Sequence, residues 1–247
     1  NGELYNFREL RAQLQAQGRR FHTQTDTEVI LQAFAEWGPQ CVKRFNGMFA
    51  FAIWDTVERT LFLARDRFGV KPLYYTQVGQ TVLFGSEIKS LLAHPSMVVR
   101  VCTPALQEYF TFQNVFTDRT LFDGVKSLPA GHSLRITVGM NEIPETSEYW
   151  DYHFEPDDGL DEDECIEHLG HLFEQAVSRQ LVSDVPVGSY LSGGIDSGSI
   201  TGIASRQIPD LRSFTCGFDL SSASGLELSF DERPQAEILA NLHKTEH

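Results

Sequence analysis

Ser192-Gly193-Gly194-Ile195-Asp196-Ser197 joins an apolar, β-prone stretch to a helical one. Upstream, Val185, Val187, Tyr190 and Leu191 form a short strand, with Pro186 near its start, where a missing backbone donor does least harm. Downstream, Ile200, Ile203 and Ala204 fall at helical spacing. Two glycines at such a junction let the main chain approach a ligand, so that successive N–H groups and the positive end of the helix face an anion. Asp196 and Ser197 lie in the first helical turn. An aspartate beside a polyphosphate would be repulsive alone, so its presence suggests a bridging Mg2+, and the serine hydroxyls can donate to phosphate oxygens. The run lacks the Gly-Lys-Ser/Thr ending of the common P-loop. Its bland alternative is a Gly-Gly turn with Asp196 serving the helix dipole.

Beyond this loop, the helix from about Cys165 to Leu181, the strand around Phe214 and the helix near Ala236 to Leu242 alternate as in a parallel α/β sheet, whose ligands bind at the carboxyl ends of the strands. The segment Phe214-Thr215-Cys216-Gly217-Phe218 reads as the next parallel strand, with Cys216 expected to pack in a core. Before the loop the pattern changes character. Phe7, Leu10 and Leu14 give one helical stripe; Val29, Ile30, Ala33, Phe34 and Trp37 give a second, ended by Gly38-Pro39. Met48 to Trp54 and Thr60 to Ala64 read as strands around the polar turn Asp55 to Arg59, as do Leu73 to Thr76 and Thr81 to Phe84 around Val-Gly-Gln. Ser86 to Ala93 and Pro104 to Phe110 read as helices, and Ser133 to Val138 as a further strand after Pro129-Ala130-Gly131. Strands in runs flanked by helices indicate an α+β domain. Around Asn141 to Gly159 the pattern loosens, which places one domain over 1–150 and a second over 151–247.

The 247 residues, 41% hydrophobic and 22% charged, fit a globular chain with two cores. No apolar run reaches the roughly 18 residues of a membrane span, and a net charge of −14 argues against a nucleic-acid partner. Cys41, Cys102, Cys165 and Cys216 show no metal-type spacing and fit reduced, buried thiols in a cytoplasmic protein. The acidic run Glu155, Asp157, Asp158, Asp161, Glu162, Asp163 and Glu164 reads as a solvated linker and helix start. His94 and His132 have no partner at informative spacing, and Arg65-Asp66 reads as an ion pair in a packed core. A homodimer is left open, since no motif encodes an oligomeric state.

The chain opens Asn1-Gly2-Glu3-Leu4-Tyr5-Asn6 without an initiator methionine, so it is expected to start within a longer protein. An Asn amide and the following Gly N–H can both point at one carbonyl oxygen as it becomes a tetrahedral alkoxide. Alone, Asn-Gly is equally a tight turn. The following segments, including Asp26-Thr27-Glu28 and Arg65-Asp66-Arg67-Phe68-Gly69-Val70-Lys71-Pro72-Leu73-Tyr74-Tyr75, resemble the glutaminase domain of class II glutamine amidotransferases. With the downstream loop, which resembles the pyrophosphate loop of enzymes that cleave ATP to AMP and pyrophosphate, the order of modules is similar to that of the glutamine-dependent asparagine synthetases.

That resemblance implies an N-terminal nucleophile hydrolase-like domain of α-β-β-α layers, followed by a parallel α/β ATP-binding domain of the adenine nucleotide alpha hydrolase type. It puts Asn1 and Gly2 in the oxyanion hole. Glu3 and Asp26 would hold the glutamine α-amino group, although Thr25-x-x-Glu28 also reads as a capping box with Asp26 serving the helix dipole. Leu191, Ser192, Gly193, Gly194, Asp196, Ser197 and Cys216 would bind ATP and pyrophosphate, with Asp196 on Mg2+. Gly198 departs from the family, which usually carries Ser or Thr there. The nucleophilic cysteine and a glutamine-clamping arginine are expected upstream of Asn1. The implied activity is that of a ligase: glutamine-derived ammonia amidates aspartate through a β-aspartyl-adenylate, releasing AMP and pyrophosphate. The alternatives are an adenylating amidotransferase or cyclase acting on another carboxylate, and a non-catalytic glutaminase-like interaction protein.

Overall fold

In the computed structural model, which describes residues 1–156, 159, 161–217 and 231–247, the chain starts as a short edge strand, β1 (Gly2–Leu4). Helices α1 (Phe7–Ala16) and α2 (Asp26–Trp37) follow. Leu10 and Leu14, four apart, bury the inner face of α1, and Val29 and Ala33 do the same for α2. Gly38, at φ 58°, ends α2 and opens a 3-10 turn over Gly38–Arg44 that carries Pro39 near its start.

Strands β2 (Gly47–Asp55) and β3 (Thr60–Arg65) form an antiparallel hairpin. Next come β4 (Tyr74–Val78), β5 (Thr81–Gly85), α3 (Ile88–Leu92), α4 (Thr103–Phe112), β6 (Lys126–Ser127), β7 (His132–Thr137) and β8 (Ser147–Glu148). They build two sheets, one ordered β1-β2-β3-β7-β8 and one ordered β5-β4-β6. The larger sheet is apolar on both faces, and its period of two separates them. Phe49, Phe62 and Ala64 join Leu10, Leu14, Val29 and Ala33 in one core, whereas Ala50, Leu63 and Leu134 join Leu73, Tyr75 and Leu128 in the other. The layer order is therefore helices, sheet, sheet, with α3 packed on β5.

The second unit spans Glu155–His247, the first Asn1–Phe154. It contains α5 (Glu162–Gln180), β9 (Gly188–Tyr190), α6 (Ile195–Gln207), β10 (Arg212–Phe214) and α7 (Arg233–His243). Strands β9 and β10 are parallel, and a third parallel pairing starts at Glu246, whose N–H donates to Leu211 O while its carbonyl accepts from Ser213 N. Val177, Ala204 and Leu211 form one small core and Leu191, Ala236 and Ala240 another.

Several expectations need correction. The strand before Ser192 is only three residues long, and Val185 and Tyr190 are exposed; among the described residues β9 is paired on one side only. The helix expected from Ser86 starts at Ile88, because Glu87 keeps an extended backbone and its carbonyl accepts from Ser90 Oγ. Asn1-Gly2 leads into a strand and not a turn. All four cysteines are free, but only Cys41 is buried; Cys165 and Cys216 are exposed, Cys216 lying past the end of β10 and outside any core. Asp161 caps α5 and Glu162, Asp163 and Glu164 fill its first turn, as the acidic run suggests, whereas Asp157, Asp158 and Phe218 lie outside the described residues. No described helix is long and apolar enough to cross a membrane.

Candidate active sites

Antiparallel pairing fixes what β1 can offer. Asn1 and Ala50 exchange both backbone hydrogen bonds, at 3.2 and 2.8 Å. Gly2, facing Phe49, therefore belongs to a non-hydrogen-bonded pair, and its N–H points away from β2. Leu4 has the same orientation, and its N–H donates to Asp26 Oδ2 at 2.9 Å. The Gly2 donor and the Asp26 carboxylate thus share one open edge, about 7 Å apart along the strand. Gly2 sits at φ +132°, and a Cβ there would fall on Met48 O and Phe49 Cα, so no other residue fits.

A cavity of about 260 Å³ opens at this edge, lined by Asn1, Gly2, Glu3, Asp26 and Thr27 among others. Asn1 Nδ2 donates to Ser86 Oγ at 3.2 Å, which places the Ser86 hydroxyl beside the site. Asp26 spends Oδ2 on Leu4 and receives on Oδ1 only a 3.4 Å contact from Thr27 Oγ1. Glu3 is exposed, and after burial itself it is the main influence pushing the Tyr5 phenol up. The arrangement offers N–H donors to an oxygen that gains charge, with two carboxylates within the same cavity for an ammonium.

The capping box is half formed. Thr25 Oγ1 accepts from Glu28 N at 3.3 Å, but the Glu28 carboxylate reaches past Thr25 to His22 N, Thr23 N and Thr23 Oγ1 at 2.6–2.8 Å. The Thr23 hydroxyl and the His22 N–H hold its pKa down to about 2. Arg65 and Asp66 do not pair as expected either. Asp66, fully buried, accepts four backbone N–H groups, from Phe49, Phe68, Val70 and Lys71. Arg65 instead donates to the carbonyls of Gly69, Lys71 and Leu128 and to Ser127 Oγ. The available signal was a charged residue between an apolar strand and a Gly-containing loop. His132 Nδ1 lies 2.7 Å from Ala130 O and its Nε2 4.0 Å from the Glu148 carboxylate on the neighbouring strand, while His94 Nδ1 accepts from Ser96 N.

In the second unit the Ser192 loop sits at the carboxyl end of β9, with Gly194 as the extended N-cap of α6. Gly193 adopts φ +83°, and a Cβ there would lie 2.6 Å from Gln235 Cβ at the start of α7. Inside the loop, Ser197 Oγ accepts from Ser192 N at 3.1 Å, lies 3.0 Å from Ser192 Oγ and donates to Gly194 O at 3.3 Å. The first N–H groups of α6 remain directed at the loop mouth. Asp196 is exposed, and its carboxylate makes no hydrogen bond or ion pair with another described residue. Leu191 is 1% exposed and contributes through its backbone: its N–H donates to Phe214 O and its carbonyl accepts from Thr215 Oγ1. That bond holds Thr215, and Cys216 next to it, beside the loop. His247 Nδ1 lies 2.9 Å from Ser213 Oγ on the same sheet.

Gly198 is buried against α7, where a Cβ would come within 3.0 Å of Leu239 Cδ1. A side chain at this position would need the flexible end of Leu239 to give by a few tenths of an ångström. No described residues form a cluster of three or more metal-binding side chains. A cation at Asp196 would therefore take most of its oxygen ligands from phosphate and water, which suits Mg2+.

Residues 1–150 match the glutamine amidotransferase domain family, and residues 168–247 match the asparagine synthase family. The chain is similar to "Asparagine synthetase [glutamine-hydrolyzing] 3" of Bacillus subtilis (strain 168), 46% identical over 83% of this chain and 33% of that protein. It is similar also to "Asparagine synthetase [glutamine-hydrolyzing] 1" of the same organism, 38% identical over 93% of this chain and 36% of that protein. The chain thus spans about a third of the length of these relatives. A solved glutamine phosphoribosylpyrophosphate amidotransferase of B. subtilis, with ADP and GMP, aligns at a TM-score of 0.42 and 19% identity over 87% of this chain and 44% of that one.

Proposed function

The chain belongs to the glutamine amidotransferase domain family, and we propose that it serves a glutamine-hydrolysing asparagine synthetase, a ligase that amidates aspartate with ammonia drawn from glutamine. The observation that carries this reading is the open edge of β1, where the Gly2 N–H, the Asn1 amide and the Asp26 carboxylate meet one cavity. Glutamine binds there with its ammonium against Glu3 and Asp26. A cysteine thiol attacks the side-chain amide carbon and its proton passes to the nitrogen; the oxyanion held by Asn1 and Gly2 collapses to a thioester with loss of ammonia, and water then cleaves the thioester to glutamate and the free thiol.

ATP binds at the Ser192 to Ser197 loop, with Cys216 beside it. The α6 N-terminus and the two serine hydroxyls receive phosphate oxygens, exchanging their mutual hydrogen bonds for the ligand. Asp196 would hold Mg2+, whose charge offsets that of the phosphates when bound. The β-carboxylate of aspartate displaces pyrophosphate from the α-phosphorus to give an acyl-adenylate, and ammonia then displaces AMP to give asparagine. Adenylation is needed because a free carboxylate is a poor electrophile. A cytoplasmic location, consistent with four free cysteines, and a homodimer belong to the same proposal.

The test is to incubate the protein that carries this sequence with Mg-ATP, aspartate and glutamine. AMP, pyrophosphate and asparagine are expected to form in equal amounts. AMP formed only with a different carboxylate would mean another acceptor, and no AMP would overturn the ATP-dependent half of the reading.

A further inference from the structure

Both backbone polar groups of Phe49 are held by one residue. Asp66 N donates to Phe49 O at 2.8 Å, and Phe49 N donates to Asp66 Oδ2 at 3.1 Å. Lys71 N shares Oδ2 at 3.0 Å, while Phe68 N and Val70 N occupy Oδ1 at 3.1 and 3.0 Å. The Asp66 carbonyl accepts from Gly69 N and Gly131 N, so the residue is fixed on every side. On its opposite edge Phe49 faces Gly2, so closely that a Cβ on Gly2 would overlap Phe49 Cα. The direction of the Gly2 N–H therefore follows the backbone of Phe49, and the backbone of Phe49 follows Asp66.

We propose that Asp66 is a positioning residue for the amidotransferase site, aiming the Gly2 N–H at the developing oxyanion through Phe49. This rests on the reading of Gly2 as an oxyanion donor. Asp66 makes no hydrogen bond to Glu3 or Asp26, the carboxylates assigned to the substrate ammonium. Its effect is therefore confined to the step in which charge develops, and substrate binding is spared. An amide in place of the carboxylate keeps one acceptor oxygen and turns an N–H donor against two of the four backbone N–H groups.

The experiment is steady-state glutamine hydrolysis by the protein that carries this sequence, comparing wild type with Asp66→Asn, with rates normalised to the folded fraction from near-UV circular dichroism. Misaimed oxyanion donors cost about 10- to 100-fold in rate, so kcat should fall at least about tenfold while KM for glutamine stays within about threefold. A kcat per folded molecule equal to wild type overturns the positioning role and leaves the amidotransferase reading intact. Wild-type protein that hydrolyses no glutamine removes that reading, and the positioning role with it. If Asp66→Asn does not fold, Asp66→Glu, which keeps the charge but moves both oxygens by one methylene, takes its place: kcat at least about tenfold below wild type with KM within about threefold is expected, and an unchanged kcat overturns the proposal.

Discussion

A methyl group on residue 2 would have no space to occupy. Gly2 combines a backbone conformation closed to other residues with contact against Met48 O and Phe49 Cα, so Gly2→Ala has to move β1 off β2 or strain both. Either route costs about 1–3 kcal/mol, and thermal unfolding of the first unit should shift down accordingly, with glutamine hydrolysis lost because the donor leaves its line. An unchanged melting temperature would mean that β1 is not bound as described. Glu28 carries a different kind of information. Its folded pKa of about 2 lies below the ordinary carboxylate value near 4.3. A depressed pKa stabilises the fold above the unfolded value, and the contribution fades as pH falls from there toward 2. Wild type and Glu28→Gln should accordingly differ in stability at pH 6 and converge as the pH approaches 2; parallel stability curves would rule out the Thr23 and His22 contacts as the cause.

Helix α6 shows how local choices at an element's ends create a site. Gly194 caps it, Gly193 lets the loop double back against α7, and Gly198 and Gly202 present bare backbone to Leu239 and His243. Gly193→Ala must either push Gln235 away or abandon φ +83°. It is expected to weaken ATP binding at least about tenfold by calorimetry, since displaced N–H groups no longer converge on the phosphates. Retained affinity would show that the loop binds no phosphate. The elements legible in the sequence are those long enough to show a pattern: Phe7, Leu10 and Leu14 announce α1, and the unbroken apolar run from Met48 to Trp54 announces β2. Strand β1 is silent, because three residues including a glycine cannot display a period. The same holds for β6 and β8, each two residues long. Tyr190 looks like a core strand residue but is 84% exposed, because burial depends on neighbours that its own segment does not encode. At the sites, glycine identity and the Ser-Gly-Gly-Ile-Asp-Ser order carry their meaning in sequence. The Asp66 knot and the Asn1 to Ser86 bond do not, since they join residues 17 and 85 positions apart.

Among the described residues, the buried apolar ones are shared unequally between the two units. The first unit holds clusters of twelve and seven buried residues that include Phe45, Phe49 and Phe62, whereas the second holds two clusters of three, whose largest members are leucines. Buried apolar area is the main favourable term in folding, so the smaller cores leave the second unit less stable on its own account. The probes divide along the same line. Trp37, Trp54 and Trp150 all belong to the first unit, while α5, α6 and α7 supply much of the helix and belong to the second. In urea, helical circular dichroism should begin to fall before tryptophan emission shifts, giving two curves with separate midpoints instead of one two-state transition. Superimposable curves would mean that the units unfold as one body, and the weak cores of the second unit would then need support that its own apolar clusters do not supply.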